Sequence, residues 1–253
     1  MLAAEEPLSL QAHPSKEQAE EGFARENAAG IELTAPNRNY KDDNHKPELI
    51  VALTDFYAMA GFRPLARTRE LFAALECPEL DHYVAMLDED PSVTTESANL
   101  RVLFTTWITI PSAKRKELIA AIVSAGERLI AADPADWKSR VMSTVLELNQ
   151  RYPGDIGVLG ALLLNHIELS PGEAVYLDAG QLHAYVSGLG VEIMANSDNV
   201  LRGGLTPKFV DVPELVKVLT YAAADEPRVQ QQDKSAQNLS LIHISEPTRR
   251  TPI

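Results

Sequence analysis

Two stretches decide how this chain is read: Pro7-Leu8-Ser9-Leu10-Gln11-Ala12-His13-Pro14 and Asp178-Ala179-Gly180-Gln181-Leu182-His183-Ala184-Tyr185. Side chains along a strand alternate faces with period two. The first stretch therefore puts Ser9, Gln11 and His13 on one face, with Leu8, Leu10 and Ala12 behind them. The second puts Gln181, His183 and Tyr185 on one face, backed by Leu182, Ala184 and Val186. An apolar interior has no use for two polar strand faces, whereas a site in the mouth of a β-barrel does.

Further strands read outward from these two. Glu48 to Leu53 and Asp55 to Phe62 precede a long helical block. Glu173 to Leu177, Leu182 to Val186 and Val191 to Met194 follow it, with turns expected at Pro171-Gly172, Ala179-Gly180 and Gly188-Leu-Gly190. Ser15 with Gln18 has the capping-box spacing, opening a helix to about Ala28 that Gly30 ends. From Pro64 to Asn165 the pattern is consecutive helices. Leu118, Ile119, Ile122 and Val123 share one helical face. Asp133-Pro134 reads as the cap and first position of the next helix, whose Trp137, Val141, Val145 and Leu148 align. Asp155 to Leu164 reads as a third, mostly apolar helix, and a short one runs from Pro213 to Tyr221. Both tryptophans are expected in the core. The order β, α, β is a mixed β fold with an α insertion, divided as 1–63, 64–165 and 166–221, with a disordered or non-native tail at 222–253. No Gly-rich phosphate loop or dinucleotide fingerprint is visible.

Composition narrows the function. The net charge of −13 over 253 residues lacks the basic footprint of a nucleic-acid binder, but leaves room for a local basic pocket that takes a small anion. The single cysteine, Cys77, excludes an intramolecular disulfide and a cysteine zinc cluster. It points to a reducing, cytoplasmic location. No apolar run is long enough to cross a membrane, and no signal-peptide pattern is present. The last residues, Ser240 to Ile253, have no periodic relation to what precedes them and resemble the product of a translated sequencing adapter. The segment from about Gln237, with His243, is read as non-native.

Gln11, His13, Glu48 and His183 form a nitrogen and oxygen set of the kind that holds a catalytic zinc with one position open. Against this, a single histidine is more often a hydrogen-bonded structural residue, and Glu48 beside Lys46 reads as an ordinary surface pair. The segment Gly190 to Lys208 tilts the balance, because it sets Glu192, Asp198, Arg202 and Lys208 around flexible glycines. Arginine suits planar anions and lysine suits phosphate.

Gln11-Ala-His13-Pro14, Asn39-Tyr-Lys-Asp-Asp-Asn-His-Lys-Pro-Glu48, His183-Ala-Tyr185 and Ser197-Asp-Asn-Val-Leu-Arg-Gly-Gly-Leu-Thr-Pro-Lys208 occur in that order. Together they resemble the type I mannose-6-phosphate isomerase family, from about Leu2 to Tyr221. The resemblance implies a zinc-dependent cupin (β jelly-roll) domain interrupted by an all-helical domain. It implies a cytoplasmic, monomeric enzyme that interconverts mannose 6-phosphate and fructose 6-phosphate through an enediol, feeding mannose catabolism or GDP-mannose biosynthesis. Zinc would be held by Gln11, His13, Glu48 and His183. Arg202, Glu192, Asp198 and Lys208 would be catalytic, the last three all being candidates for the base, and Ser9, Lys46 and Tyr185 would bind substrate. The family carries more chain on both sides of these motifs, so the chain reads as truncated at both ends. The competing readings are a metal- or sugar-binding cupin without catalysis, an inactive fragment of the isomerase, and an iron oxygenase using His13, Glu48 and His183.

Overall fold

The computed structural model describes residues 1–87 and 93–224. The expected tail from residue 225 onward, including His243, lies outside the described residues. Strands β1 (Leu2–Ala4) and β2 (Leu10–Ala12) are followed by α1 (Lys16–Ala28). Strands β3 (Glu48–Ala52) and β4 (Phe56–Phe62) come next. Helices α2 (Leu65–Leu75), α3 (Pro78–Val84), α4 (Val93–Ile108), α5 (Ser112–Ala132), α6 (Trp137–Arg151) and α7 (Ile156–Ala161) then run in succession. Strands β5 (Leu164–Leu169), β6 (Ala174–Leu177), β7 (His183–Met194) and β8 (Leu201–Gly204) and helix α8 (Val212–Val218) complete the described elements.

The central strand is β7. Its first half pairs with β4 and with β2, and its second half pairs with β3 and β1. It therefore crosses the region expected to be a turn at Gly188-Leu-Gly190, which is instead one continuous strand. The glycines serve a corner. Ala52 pairs with Gly190 and Tyr57 with Ser187, so four residues of the β3–β4 bend face two of β7. Strands that pass from one sheet to another do so through such irregularities. Gly188 sits at φ +123°, and a Cβ there would lie 2.7 Å from the Asp55 carbonyl oxygen and 2.8 Å from Phe56 Cα.

Two further expectations are corrected. The helix α6 is capped by Asp136, whose side chain accepts from the Lys138 amide, while Asp133 closes α5. Asp133-Pro134 carried the right residue types for a cap, but Asp136 offers a capping carboxylate directly before the apolar stripe. The apolar run expected to stay helical to Leu164 ends at Ala161, and Leu164 to Leu169 pairs with β4. A short apolar run cannot be assigned to helix or strand by periodicity alone. Asp155 does cap α7, and its Oδ1 also accepts from the amide of Leu205 at 2.7 Å, tying that helix to the end of β8. The chain stays paired past Tyr221, since Ala223 bridges Phe62. The expected capping box is present in full, Ser15 and Gln18 each bonding the other's amide.

Alternation sorts the strands into two cores. Leu10, Ala12, Met59, Leu182, Ala184 and Leu201 join the helices' apolar faces, with Trp107 fully buried among them. Phe56, Ala58, Ala60, Ile167 and Tyr185, on the opposite face of β4, β5 and β7, join Ile50 of β3 and Val175 of β6 in a second cluster. Each fully buried side chain of Leu or Phe size contributes about 1.5–3 kcal/mol, so both faces of β4 and β7 are anchored and their register is firmly set. Trp137 departs from expectation: it is only partly buried, packed at the edge of the core.

Candidate metal centre

Gln11 on β2 pairs with His183 on β7 and, on its other side, with Arg202 on β8. Directly opposed residues of antiparallel strands share a face, so His183, Gln11 and Arg202 form one row across three strands. Just beyond β2, His13 is held by the β6–β7 turn, where the Gly180 amide donates to the His13 carbonyl oxygen at 2.8 Å. Glu48, the first residue of β3, completes the cluster.

His13, Glu48 and His183 are each buried, and their potential ligand atoms all lie within 4.8 Å of one another. His13 Nε2 is 3.1 Å from Glu48 Oε1, and His183 Nε2 is 3.4 Å from Glu48 Oε2. The other ring nitrogens are spoken for. His13 Nδ1 lies 2.7 Å from the Asn199 carbonyl oxygen and His183 Nδ1 lies 2.9 Å from that of Gln181. A carbonyl only accepts, so each Nδ1 carries the proton and each Nε2 presents a lone pair. Both Nε2 atoms are buried without a hydrogen-bond partner. Burial holds His13 below the ordinary imidazole range, so the ring is neutral. Burial pushes the Glu48 carboxyl upward, but the two imidazoles outweigh that and keep it far below the usual carboxylate range. Two lone pairs and a carboxylate facing one another out of water are a poor arrangement for a protein interior. They are a good one for a divalent cation, and this donor set suits zinc.

Lys46 Nζ lies 3.0 Å from Glu48 Oε1, so the pair expected at the surface is largely buried. The Tyr185 hydroxyl donates to Glu48 Oε2 at 3.4 Å, and its burial, with the neighbouring carboxylates, raises its pKa well above that of free tyrosine. Glu192, on the same strand, is raised by burial and by the charge of Glu48. Ser9 immediately precedes β2 and is partly exposed. Asp198, Arg202 and Lys208 line a separate cleft of about 410 Å³ together with Lys41. The expected residues thus fall into two groups: buried His13, Glu48, His183 and Tyr185 with partly exposed Lys46 and Glu192 beside them, and a basic cleft reached from Arg202.

Asn199 is the residue that reading the sequence missed. Fully buried, it accepts through Oδ1 from the amides of Lys41 and Asp42 and donates through Nδ2 to the carbonyls of Asp42 and Asn44. It thereby pins the loop that delivers Lys46 and Glu48, while its own carbonyl fixes His13. Ser197 supports it by donating to Asp42 Oδ1. The Asn-rich motif was visible in the sequence, but its partners lie more than a hundred residues away.

The class is therefore a mixed fold in which a bent antiparallel sheet carries a buried His/Glu/His cluster able to hold a metal ion, with helices packed against the opposite face of its strands. Among known proteins, residues 1–65 match the model of the phosphomannose isomerase type I catalytic domain. Mannose-6-phosphate isomerase of Escherichia coli is 41% identical over 225 residues, covering 88% of this chain and 54% of that protein. The Bos taurus enzyme is 38% identical, covering 87% and 51%. A crystal structure of zinc-bound mannose 6-phosphate isomerase matches with TM-score 0.74 at 38% identity, over 88% of this chain and 53% of that one. The Salmonella typhimurium enzyme, bound to substrate and a zinc atom, matches at 0.74 and 38%, over 88% and 54%. The chain resembles type I mannose-6-phosphate isomerases, and it spans about half the length of the curated relatives it matches.

Proposed function

We propose that this chain carries the metal and sugar-phosphate site of a zinc-dependent aldose–ketose isomerase interconverting mannose 6-phosphate and fructose 6-phosphate. The observation that carries the reading is the convergence of two orphaned imidazole lone pairs, at His13 and His183, on the buried Glu48 carboxylate. Gln11 completes the ligand set in this reading, as His183's partner across the sheet. The strands are read as a cupin jelly-roll with the helices α2 to α7 inserted between β4 and β5. Cytoplasmic residence is inferred from the lone, buried Cys77.

Bound zinc supplies Lewis-acid polarisation of the sugar's carbonyl and hydroxyl oxygens. The reaction also needs a proton carrier between adjacent carbons. Of the three candidates, Glu192 is favoured: its raised pKa suits a group that takes and returns a proton, and it lies near Glu48 and Tyr185. Asp198 and Lys208 are solvent-exposed. Arg202 is assigned to the enediolate charge, and the cleft it shares with Lys41 and Lys208 supports a phosphate role there. Ser9, Lys46 and Tyr185 are assigned to substrate hydroxyls and to orienting Glu48.

A coupled assay for fructose 6-phosphate formation from mannose 6-phosphate, with zinc and with chelator, tests the reading. Zinc-dependent turnover abolished by His183→Ala is the expected result. A protein that binds zinc at His183 yet shows no turnover would make it a non-catalytic metal site. Two histidines and one carboxylate also suit ferrous iron, so metal analysis of the purified protein accompanies the assay.

A further inference from the structure

A groove of about 640 Å³ runs between α6, the start of α2 and strands β4 and β5. None of the metal-cluster residues lines it. Three arginines do: Arg63, Arg67 and Arg140. Arg63 is buried at 3% exposure. Its two terminal nitrogens donate to the carbonyls of Leu164 (3.2 Å) and Leu162 (2.5 Å), but its Nε is buried with no partner. Among the described residues, no salt bridge neutralises it. Its guanidinium lies 5.3 Å from the centre of the Trp137 ring, and that of Arg67 lies 4.4 Å from the same ring. Lys138 Nζ is 5.7 Å from that ring as well, though Asp136 pairs with it, so two guanidinium charges without a carboxylate partner crowd one indole. Burial, together with the Arg67 charge, pushes Arg63 down to about 10.

The groove also holds two acids, Glu147 and Glu168, neither of which forms a salt bridge with Arg63. Glu147 pairs with Arg151 at 3.4 Å, and Glu168 accepts from the Tyr57 hydroxyl at 3.1 Å. Leaving a buried cation without a counter-charge is costly, and arginine forks match planar or tetrahedral oxyanions well. The volume is that of a small-molecule site.

We propose that this groove is a second binding site, separate from the metal centre, for a small dianionic oxyanion held by Arg63, Arg67 and Arg140 beside Trp137. A phosphate monoester and a dicarboxylate share that chemistry. Trp137 reports on the site, because Trp107 is shut in the core. Tryptophan emission of the full chain, held in chelator at constant ionic strength, is titrated with inorganic phosphate and, separately, with succinate. A saturable change with either, absent with chloride, is expected, and the responding anion identifies the class. The Arg67→Ala/Arg140→Ala double variant, altered at exposed positions, should weaken half-saturation at least tenfold, whereas Arg202→Ala should leave it unchanged. No saturable response to either anion would overturn the proposal. So would an undiminished response in the double variant, or one lost with Arg202→Ala, since the anion would then sit in the cleft beside the metal centre.

Discussion

The backbone carbonyl of Asn199 holds His13 at 2.7 Å, and the side-chain amide of that same residue clamps the loop leading to Glu48. One residue therefore governs the spacing of two candidate ligands. Asn199→Ala strips several buried backbone groups of their partners, each worth about 1–3 kcal/mol when orphaned. Expected is a loss on the order of 3 kcal/mol in urea unfolding. Zinc affinity, followed by competition with a chromophoric chelator, should fall about tenfold or more, as for other residues that orient ligands.

Metal removal should lower stability by mass action. At zinc a hundredfold above its dissociation constant the gain is about 2.7 kcal/mol, visible by calorimetry as a higher melting temperature. His183→Ala should abolish that gain. A variant that zinc still stabilises as strongly as it does the parent would remove His183 from the ligand set.

His166 offers a pH test away from the metal centre. Desolvation, aided by the charge of Arg63, pushes it down to about 4, although its contact with the Ala161 carbonyl opposes the shift. A histidine with a depressed folded-state pKa is neutral in the native protein and charges first on unfolding. Its contribution is intact above about 6.5 and is lost as pH falls toward 4. Stability should drop by about 2 kcal/mol between about pH 7 and pH 5 from this group. His166→Gln should flatten the profile of urea midpoints over that interval.

Gly188→Ala should cost about 3 kcal/mol, combining a left-handed φ with a clash against backbone that cannot swing aside. Thermal unfolding measures it. Retention of the parent melting temperature would mean that the corner relaxes freely.

The polar face was legible because period two is a local property: Gln11, His13 and His183 declare their side of the sheet from their immediate neighbours. The same holds for the Ser15–Gln18 box. What stayed hidden depended on partners far along the chain. Gly188 and Gly190 look like turn residues in isolation, and only the facing bend of β3 and β4 makes them a corner. Leu164 and Asn165 look like the end of the helical block until β4 is there to pair with the strand they open. Residue type alone places Trp137 in the core, but it sits at the core's edge with the guanidiniums of Arg63 and Arg67 over its ring.

The continuity of β7 has a consequence for how the chain is made. His13 and its carbonyl partner are 186 residues apart, and among the described residues β2 has no strand neighbour except β7 and β8. On a ribosome the early strands emerge well before either partner exists, while the intervening helices can close locally. Long-range strand pairing is slow because loop-closure entropy is lost before contacts are gained. The helical block is therefore expected to be the first to gain amide protection in pulse-labelled hydrogen exchange, and the ligand-bearing strands the last. Zinc-binding competence would then mark the completion of folding.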